Sequence, residues 1–422
     1  MNTPPLFRNR DFLLLFSAQI ISLAGSGVTT IALSLFAYQI VGGPSAAAVI
    51  GYALMLRILA FLLFSQLAGV MADRVNRKAM LIIADMIRFA LLALFPFITE
   101  VWQIYAMIFA INAATAFFTP TYEASIPRVV GEAHYVQALS LSRVAVDVEA
   151  VASPLIAGLL ISVMGLRWVF WFDAATYLVS AGLVAMAVLP RLMGSATLVS
   201  LGGLVDEISH GTRVLFREPA LRQALALSIA EATAGAAAIV ATVVYVKEVL
   251  LQGEWVFAAV MAMVGLGSSL AAVALSRATG RYERNSRSRA VLHGKRHRWT
   301  TWALLGGGLL LVVSLLPGIL QPPIFVFGLL WLLNGAGQAL IAIPSATLLA
   351  EHTSEQERGR AYAAHFAWTH AFWLITYPAI GFATANFGAP ITFTAAALFC
   401  LAVTGSAMLM NRTRRGAHSH DY

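Results

Sequence analysis

Eight polar side chains interrupt stretches of sequence that are otherwise apolar: Arg57, Asn112, Arg143, Asp147, Glu149, Glu231, Asn334 and His370. Ionisable groups in such surroundings are expensive to keep and usually serve function. Desolvation favours the neutral form of a carboxylate, and a nearby cation favours the ionised form. Asp147, Glu149 and Glu231 can therefore exchange protons with water, with Arg57 or Arg143 setting how readily. Arg143 and Asp147 are four residues apart, so on one helix they face each other; the alternative to proton exchange there is a static ion pair that orders the helices. Glu149 lies about 200° around the same helix from Asp147 and faces other neighbours. Arg57 and Glu231 lack a partner in their own helices. Glu149, Glu231 and His370 also offer the carboxylate and imidazole donors that Ni2+ or Co2+ accept. His365 and His370, five apart, do not share a helix face as an i, i+4 pair would, and a membrane histidine also serves in packing or proton relay.

Something must hold these groups at one depth. The chain has 422 residues, of which 59% are hydrophobic and 11% charged, and its mean hydropathy is +0.78. Soluble domains run near 45–50% apolar and about 25% charged. A membrane-crossing helix needs roughly 20 apolar residues, and twelve such runs are legible, near 12–39, 46–70, 79–98, 102–122, 136–163, 168–189, 220–246, 255–276, 299–316, 324–348, 361–385 and 391–410. Counted at about 1.5 Å per residue, Arg57, Asp147, Glu149, Glu231 and His370 reach a similar level from one side, and Asn112 and Asn334 reach it from the other.

The cations give the orientation. With the N-terminus inside, 23 of the 28 Lys and Arg fall in inner segments, only Arg167 and Lys247 in outer loops, and Arg57, Arg88 and Arg143 within helices. That positive-inside asymmetry predicts both termini in the cytoplasm and explains the formal charge of +8 without a nucleic-acid partner. The first apolar run is too long for a signal-peptide core and lacks a small-residue cleavage site. Barrel strands would alternate over about ten residues, which these runs do not. The lone Cys400 excludes an internal disulfide. The expected fold is an all-α integral membrane protein of twelve helices in two six-helix bundles, residues 1–189 and 220–410, with a cytoplasmic linker at 190–219 and a tail at 411–422. Apolar residues at helical spacing in Leu201 to Phe216 predict an amphipathic linker helix along the inner surface, or else a merely solvated linker.

The two halves repeat one grammar. Gly69-x-x-x-Asp73-Arg74-x-x-Arg77-Lys78 lies between spans two and three, and Glu283-Arg284-x-x-Arg287 lies between spans eight and nine. Asn112 precedes Pro120 in span four as Asn334 precedes Pro344 in span ten. Repeats of this kind mark secondary transporters, whose cargo binds near mid-membrane. The first element resembles the inner-loop motif of the major facilitator superfamily. Glu357-Arg358-Gly359-Arg360 resembles another of its loops, and Phe7-Arg8-Asn9-Arg10-Asp11-Phe12 resembles the opening of its bacterial efflux branch. Ser153-Pro154-Leu155-Ile156-Ala157-Gly158 is similar to the Gly-Pro-x-x-Gly-Gly element of its exporters, with Ser153 and Ala157 in place of two glycines; Pro154 and the small residues would let the helix bend and pack closely.

The resemblance implies a proton-coupled exporter working by alternating access in the inner membrane. It assigns gate control to Gly69, Asp73, Arg74, Arg77, Glu283, Arg284, Arg287 and Arg358. Physically, Gly69 would allow close helix approach, Asp73 would gain from a helix N-terminus, and Arg74 and Arg77 can fork to carboxylates; the same cations also serve topology alone. The chain is similar to nickel and cobalt resistance exporters through Ala138–Arg143, the acids that follow and Ser153-Pro154, and more distantly to macrolide and siderophore exporters. The cargo is therefore expected to be a divalent metal touching Glu149, Glu231 and His370, with the tail His418-Ser419-His420-Asp421 in support. The alternative is an amphipathic organic compound in a pocket walled by Trp331, Trp368, Trp373, Phe366, Phe372 and Tyr377. A non-transporting sensor or scaffold is a remote third reading. The chain lacks His-Glu-x-x-His, a phosphate loop and Gly-x-Ser-x-Gly, so neither an enzyme nor an ATP-driven pump is expected. No cofactor is expected, and a monomer whose partners are cargo, protons and lipid.

Overall fold

The computed structural model describes residues 6–72, 75–189, 201–285 and 289–417. Among them the protein is helical and contains no strand. In chain order the main helices are α1 (Arg10–Val41), α2 (Ser45–Ala72), α3 (Arg77–Leu94), α4 (Val101–Val130), α5 (Glu132–Met164) and α6 (Leu166–Met186). A shorter α7 (Leu201–Arg217) leads into α8 (Pro219–Val249). Then follow α9 (Glu254–Asn285), α10 (Arg289–Leu315), α11 (Ile324–His352), α12 (Glu355–Phe387) and α13 (Ala389–Ala417). Each apolar run read from the sequence has its body in a helix, although the runs 79–98 and 168–189 outlast α3, which ends at Leu94, and α6, which ends at Met186. Several helices continue past them into charged segments, because extending a formed helix costs far less than nucleating one.

Eleven of the described helices are long and apolar enough to cross a bilayer. α12, expected as the remaining crossing segment, is as long at 33 residues but less apolar. α8 contains two π-helical stretches, Ala237–Ala241 and Tyr245–Val249, a distortion often found at functional sites. Three helix pairs join through one glycine each: Gly131, Gly165 and Gly388 have φ of 72°, 83° and 80°, where a Cβ would be strained.

The chain divides into two compact units: residues 1–199 with 253–262, and residues 200–252 with 263–422. In the first, α1 packs on α5 and α6, α3 on α4 and α6, and α2 on α4. In the second the same relations recur: α8 packs on α12 and α13, and α10 on α11 and α13. α11 also crosses α9 closely, with Gly335 against the Val264 carbonyl and Gly267 against the Leu332 carbonyl. Large apolar side chains face outward from both units. Phe97, Trp102, Trp168, Trp255, Phe325 and Phe387 are at least half exposed, and each sits beside one of the short turns opposite the basic segments. This is where interfacial aromatics are enriched.

Polar groups lace together the basic end of the first unit. Asn9 caps α1 by accepting from Phe12 N–H at 3.1 Å and donates to the Val129 carbonyl at 2.7 Å. Asp11 accepts from Val188 N–H at 2.8 Å. Arg77 donates to the Ala124 carbonyl at 2.6 Å and Lys78 to the Ala187 carbonyl at 2.9 Å. The last carbonyls of a helix have no helical partner; Asn9 satisfies that of Val129 at the end of α4 and Lys78 that of Ala187 at the end of α6. Asn9, Asp11, Arg77 and Lys78 thus tie neighbouring helices of the first unit together.

α7 is helical as its amphipathic spacing predicts and docks on α12 of the second unit. Trp368 Nε1 donates to Thr212 Oγ1 at 3.2 Å, Phe216 meets the Trp368 ring edge-on, and His210 stands 3.9 Å from Glu357. Gly211 lies so close to the Arg360 carbonyl that a Cβ would collide with it.

Candidate functional site

The first unit holds a cavity of about 270 Å³ lined by α1, α2, α3, α4, α5 and α6. Its floor and walls combine hydroxyls of Ser22, Ser26, Thr29 and Thr30 with the amides of Gln19 and Asn112, and with Leu33, Leu54 and Ile111. The α1 hydroxyls are steered by their own backbone: Ser26 donates to the Ser22 carbonyl and Thr30 to the Ser26 carbonyl, each at 3.0 Å. Tyr122 donates to Gln19 Oε1 at 2.8 Å. Four charged side chains also line the space: Arg57, Arg88, Glu123 and Asp173.

Two of these belong to a buried network that the sequence reading did not single out. Arg88, 2% exposed, pairs with Asp85 one turn away on α3, and Ser180 Oγ donates to the other Asp85 oxygen at 2.8 Å. The guanidinium lies 4.3 Å from the ring centroids of both Phe118 and Tyr177, an arrangement that stabilises a desolvated cation. Asp173 on α6 is fully buried and accepts from Thr29 at 2.5 Å and Thr176 at 3.1 Å. Its place on α1 is a notch left by Gly25, where a Cβ would collide with the Asp173 carboxylate and the Thr176 hydroxyl. Two residues on, Gly27 leaves a second notch for Glu149 and Ser153 of α5. One helix thus receives a carboxylate on each of two sides. The signal was present: Asp85-x-x-Arg88 and Asp173 are charges inside apolar runs, as conspicuous as Glu231.

The expected residues divide between cavity, core and loop. Arg57 and Asn112 do meet in the first-lobe cavity; Arg57 donates to Thr30 Oγ1 at 3.4 Å and Asn112 to the Ile108 carbonyl at 2.8 Å. Glu149 lies within electrostatic reach of Arg57. Ser153, Pro154 and Gly158 are buried in α5, which continues helical through the proline. Gly158 lies against Trp255 and Ala258, both in the segment that clusters with the first unit; a Cβ there would sit 2.8 Å from each. Arg143 is exposed on α5, and the Asp147 side chain lies outside the described residues. So do Asp73, Arg74, Arg287, the side chains of Glu283 and Arg284, and the tail histidines.

Three expectations need correction. The sequence suggests Gly69 as a point of close helix approach, yet a Cβ there would meet no described atom within 4 Å. It suggests Asn334 as a cavity residue, yet Asn334 is fully buried, donating to Ser314 Oγ at 3.1 Å and accepting from Gln338 at 2.7 Å. It braces α10 to α11, because an amide buried between helices must find partners there. Trp331, expected as a pocket wall, is instead core, donating to Thr242 Oγ1 at 3.0 Å and packed with Phe327 and Phe393, whose cluster also holds Tyr245.

In the second unit Glu231 is half-buried on α8 and makes no hydrogen bond or ion pair among the described residues. His370 Nδ1 stands 2.9 Å from the Phe366 carbonyl, with its ring over that of Phe366. Arg358 is exposed near the start of α12, where Ser354 accepts from Glu357 N–H at 3.3 Å as the helix cap. Among the described residues no group of three or more His, Cys, Asp or Glu stands together to hold a metal ion. Glu149 lies in the first unit, and Glu231 and His370 lie in the second.

Repeated helical lobes, outward apolar faces and a charged internal cavity define a multi-pass membrane transporter. Residues 15–294 match the Major Facilitator Superfamily, and the chain belongs to that superfamily. The uncharacterized MFS-type transporter YfiS of Bacillus subtilis (strain 168) is 27% identical over 222 residues, 51% of this chain and 52% of its own. Macrolide efflux protein A of Streptococcus pyogenes is 28% identical over 209 residues, 48% of this chain and 51% of its own. The alignments span about half the length of these curated relatives. The crystal structure of the nucleoside transporter NupG superposes with a TM-score of 0.72 at 13% identity, covering 95% of this chain and 98% of that one. An inward-facing, unoccupied bacterial homolog to the human lysosomal transporter Spinster gives a TM-score of 0.73 at 13% identity, over 96% and 98%. At such identity the likeness is one of fold.

Proposed function

We propose that this chain is a proton-driven exporter of amphipathic organic compounds, working as a monomer by alternating access with both termini in the cytoplasm. The observation that carries this reading is the first-lobe cavity, where hydroxyls, amides and a few charges are set among leucine and isoleucine. Pockets for organic ligands are mostly apolar with a small number of placed polar groups, and this one suits a molecule with an apolar body and several oxygens. The similarity to macrolide efflux protein A supports both the direction and the kind of cargo. The metal alternative has no ligand cluster behind it among the described residues.

Proton coupling falls to Glu231, the carboxylate of α8 without a partner among the described residues. A charge left alone in apolar surroundings is costly, so binding and releasing a proton there can bias the two conformations. The loop motifs, with Asp73, Arg74, Arg77, Glu283, Arg284, Arg287 and Arg358, control the inner gate. The test is a growth screen of expressing and deleted cells against macrolides, dyes, siderophores, Ni2+ and Co2+, followed by transport in inverted vesicles. Resistance to an organic compound and dissipation of a proton gradient by that compound are expected, with Glu231→Gln losing the pH dependence. Protection against Ni2+ or Co2+ alone would overturn the cargo class. An unaltered pH profile in Glu231→Gln would remove that residue from the proton path.

A further inference from the structure

Two ladders of hydroxyls climb the wall of the first-lobe cavity. On α1, Ser26 donates to the Ser22 carbonyl and Thr30 to the Ser26 carbonyl, each at 3.0 Å. On α4, Thr115 donates to the Ile111 carbonyl at 2.9 Å and Thr119 to the Thr115 carbonyl at 3.3 Å. All four side chains line the cavity. Each partner lies one turn back along the same helix, the bond that Ser and Thr make when they sit inside one. A carbonyl can only accept, so the direction of these bonds is fixed and each hydroxyl has spent its one proton. What it turns to the cavity is lone pairs. The ladders are walls of acceptors, with rungs about 6 Å apart along each helix.

The donors of the lining stand among them. A guanidinium carries five N–H groups, and among the described residues Arg57 spends one, on Thr30 Oγ1 at 3.4 Å. Gln19 accepts from Tyr122 through Oε1 at 2.8 Å, which leaves its amide N–H groups. Asn112 uses one of its two N–H groups on the Ile108 carbonyl at 2.8 Å. The cations are already engaged by acids of the same unit: Arg88 pairs with Asp85 and stands within electrostatic reach of Asp173, and Arg57 stands within reach of Glu149. Glu123, also in the lining, adds further acceptor oxygens. A cavity of about 270 Å³ is at the small end of ligand pockets, which run from roughly 300 Å³ upward.

Such a wall is satisfied by a group that donates and accepts at the same position, and an alcohol does both. We propose that the first-lobe cavity recognises a neutral polyol carried on an apolar body, as in an aryl glycoside. The hydroxyls of the compound donate to the ladders of α1 and α4 and accept from Arg57, Gln19 and Asn112, while its apolar body lies on Leu33, Leu54 and Ile111. A site built to pair hydroxyls rejects an analogue that lacks them, because its own polar atoms are then left unpaired. The inference rests on the exporter reading for the fate of the compound and names the cargo class of that same site.

The test uses the purified full chain in lipid nanodiscs, with empty nanodiscs as the control for partition into lipid. Equilibrium dialysis against tritiated 4-nitrophenyl β-D-glucopyranoside should give saturable binding. Its tetra-O-methyl ether keeps every oxygen and loses every donor, and should bind about tenfold more weakly or worse. Removing both rungs of α4, by Thr115→Val with Thr119→Val, should cost the glucoside about tenfold in affinity and leave the ether unaffected. Thr115→Ser with Thr119→Ser, which returns the hydroxyls, should recover it. Equal binding of glucoside and ether, or no saturable binding of the glucoside, overturns the proposal, and that comparison needs no variant to fold. Binding of 4-nitrophenethylammonium in place of the glucoside also overturns it, assigning the cavity to cationic amines. No proton gradient enters these measurements. Glucoside binding combined with a failed resistance screen would refute the exporter reading and leave the site standing; resistance in that screen without glucoside binding would do the reverse.

Discussion

Replacing Arg88 by methionine isolates what the buried pair contributes. Methionine fills a similar volume without the charge, so Asp85 keeps the Ser180 hydroxyl and loses its cation. The stranded carboxyl can escape by taking a proton in the folded state. At about 1.36 kcal/mol per pH unit, doing so at pH 7 from an ordinary aspartate value near 3.9 costs about 4 kcal/mol. At pH 5 the same step costs about 1.5 kcal/mol. The lost contacts with Phe118 and Tyr177 add up to about 2 kcal/mol, independent of pH. The sign is fixed by proton counting: the folded variant holds a proton that the unfolded chain releases above about pH 4, so stability falls as pH rises. A unit of about 200 residues loses roughly 2–4 °C in melting temperature per kcal/mol. The carboxyl part of the penalty should therefore be about 8–16 °C at pH 7 and about 3–6 °C at pH 5. The nine tryptophans permit fluorescence melts at either pH. Adding Asp85→Asn to Arg88→Met should recover most of the loss at pH 7, because a neutral amide keeps the Ser180 contact and strands no charge. A penalty equal at the two pH values, with no recovery in the double variant, would falsify the account of a pair held together by charge.

Two further outcomes follow from the helix contacts. Gly27→Ala places a methyl where Glu149 and Ser153 stand, so α1 and α5 must part; a loss of about 1–3 kcal/mol is expected for such overpacking, and a melt matching wild type would show that the notch is slack. Single cysteines at Glu100 and Gln252 should react with an impermeant maleimide from one side of the membrane and those at Arg217 and Gln356 from the other, over a silent background from the buried Cys400. Labelling of all four from one side would sink the topology.

The sequence by itself determined the solvent. Long apolar runs with almost no charge admit only helices in lipid, because no water is available there to satisfy an open backbone. The helical spacing of α7 was equally legible, since it is a short-range pattern whose meaning survives without neighbours. The tertiary structure decided which polar side chain faces what. Arg57, Asn112, Asn334 and Glu231 look alike in a sequence of leucine and alanine, yet Asn334 is locked between helices, Arg57 and Asn112 line a cavity, and Glu231 stands without a partner among the described residues. Asp85, Arg88 and Asp173 become one network only when α3 and α6 pack side by side. The glycines at 25 and 27 gained meaning only against the carboxylates seated on them. A helix fixes the angle and height of its own side chains, but its rotation about its axis is set by the packing of its neighbours, and that rotation sorts core from cavity.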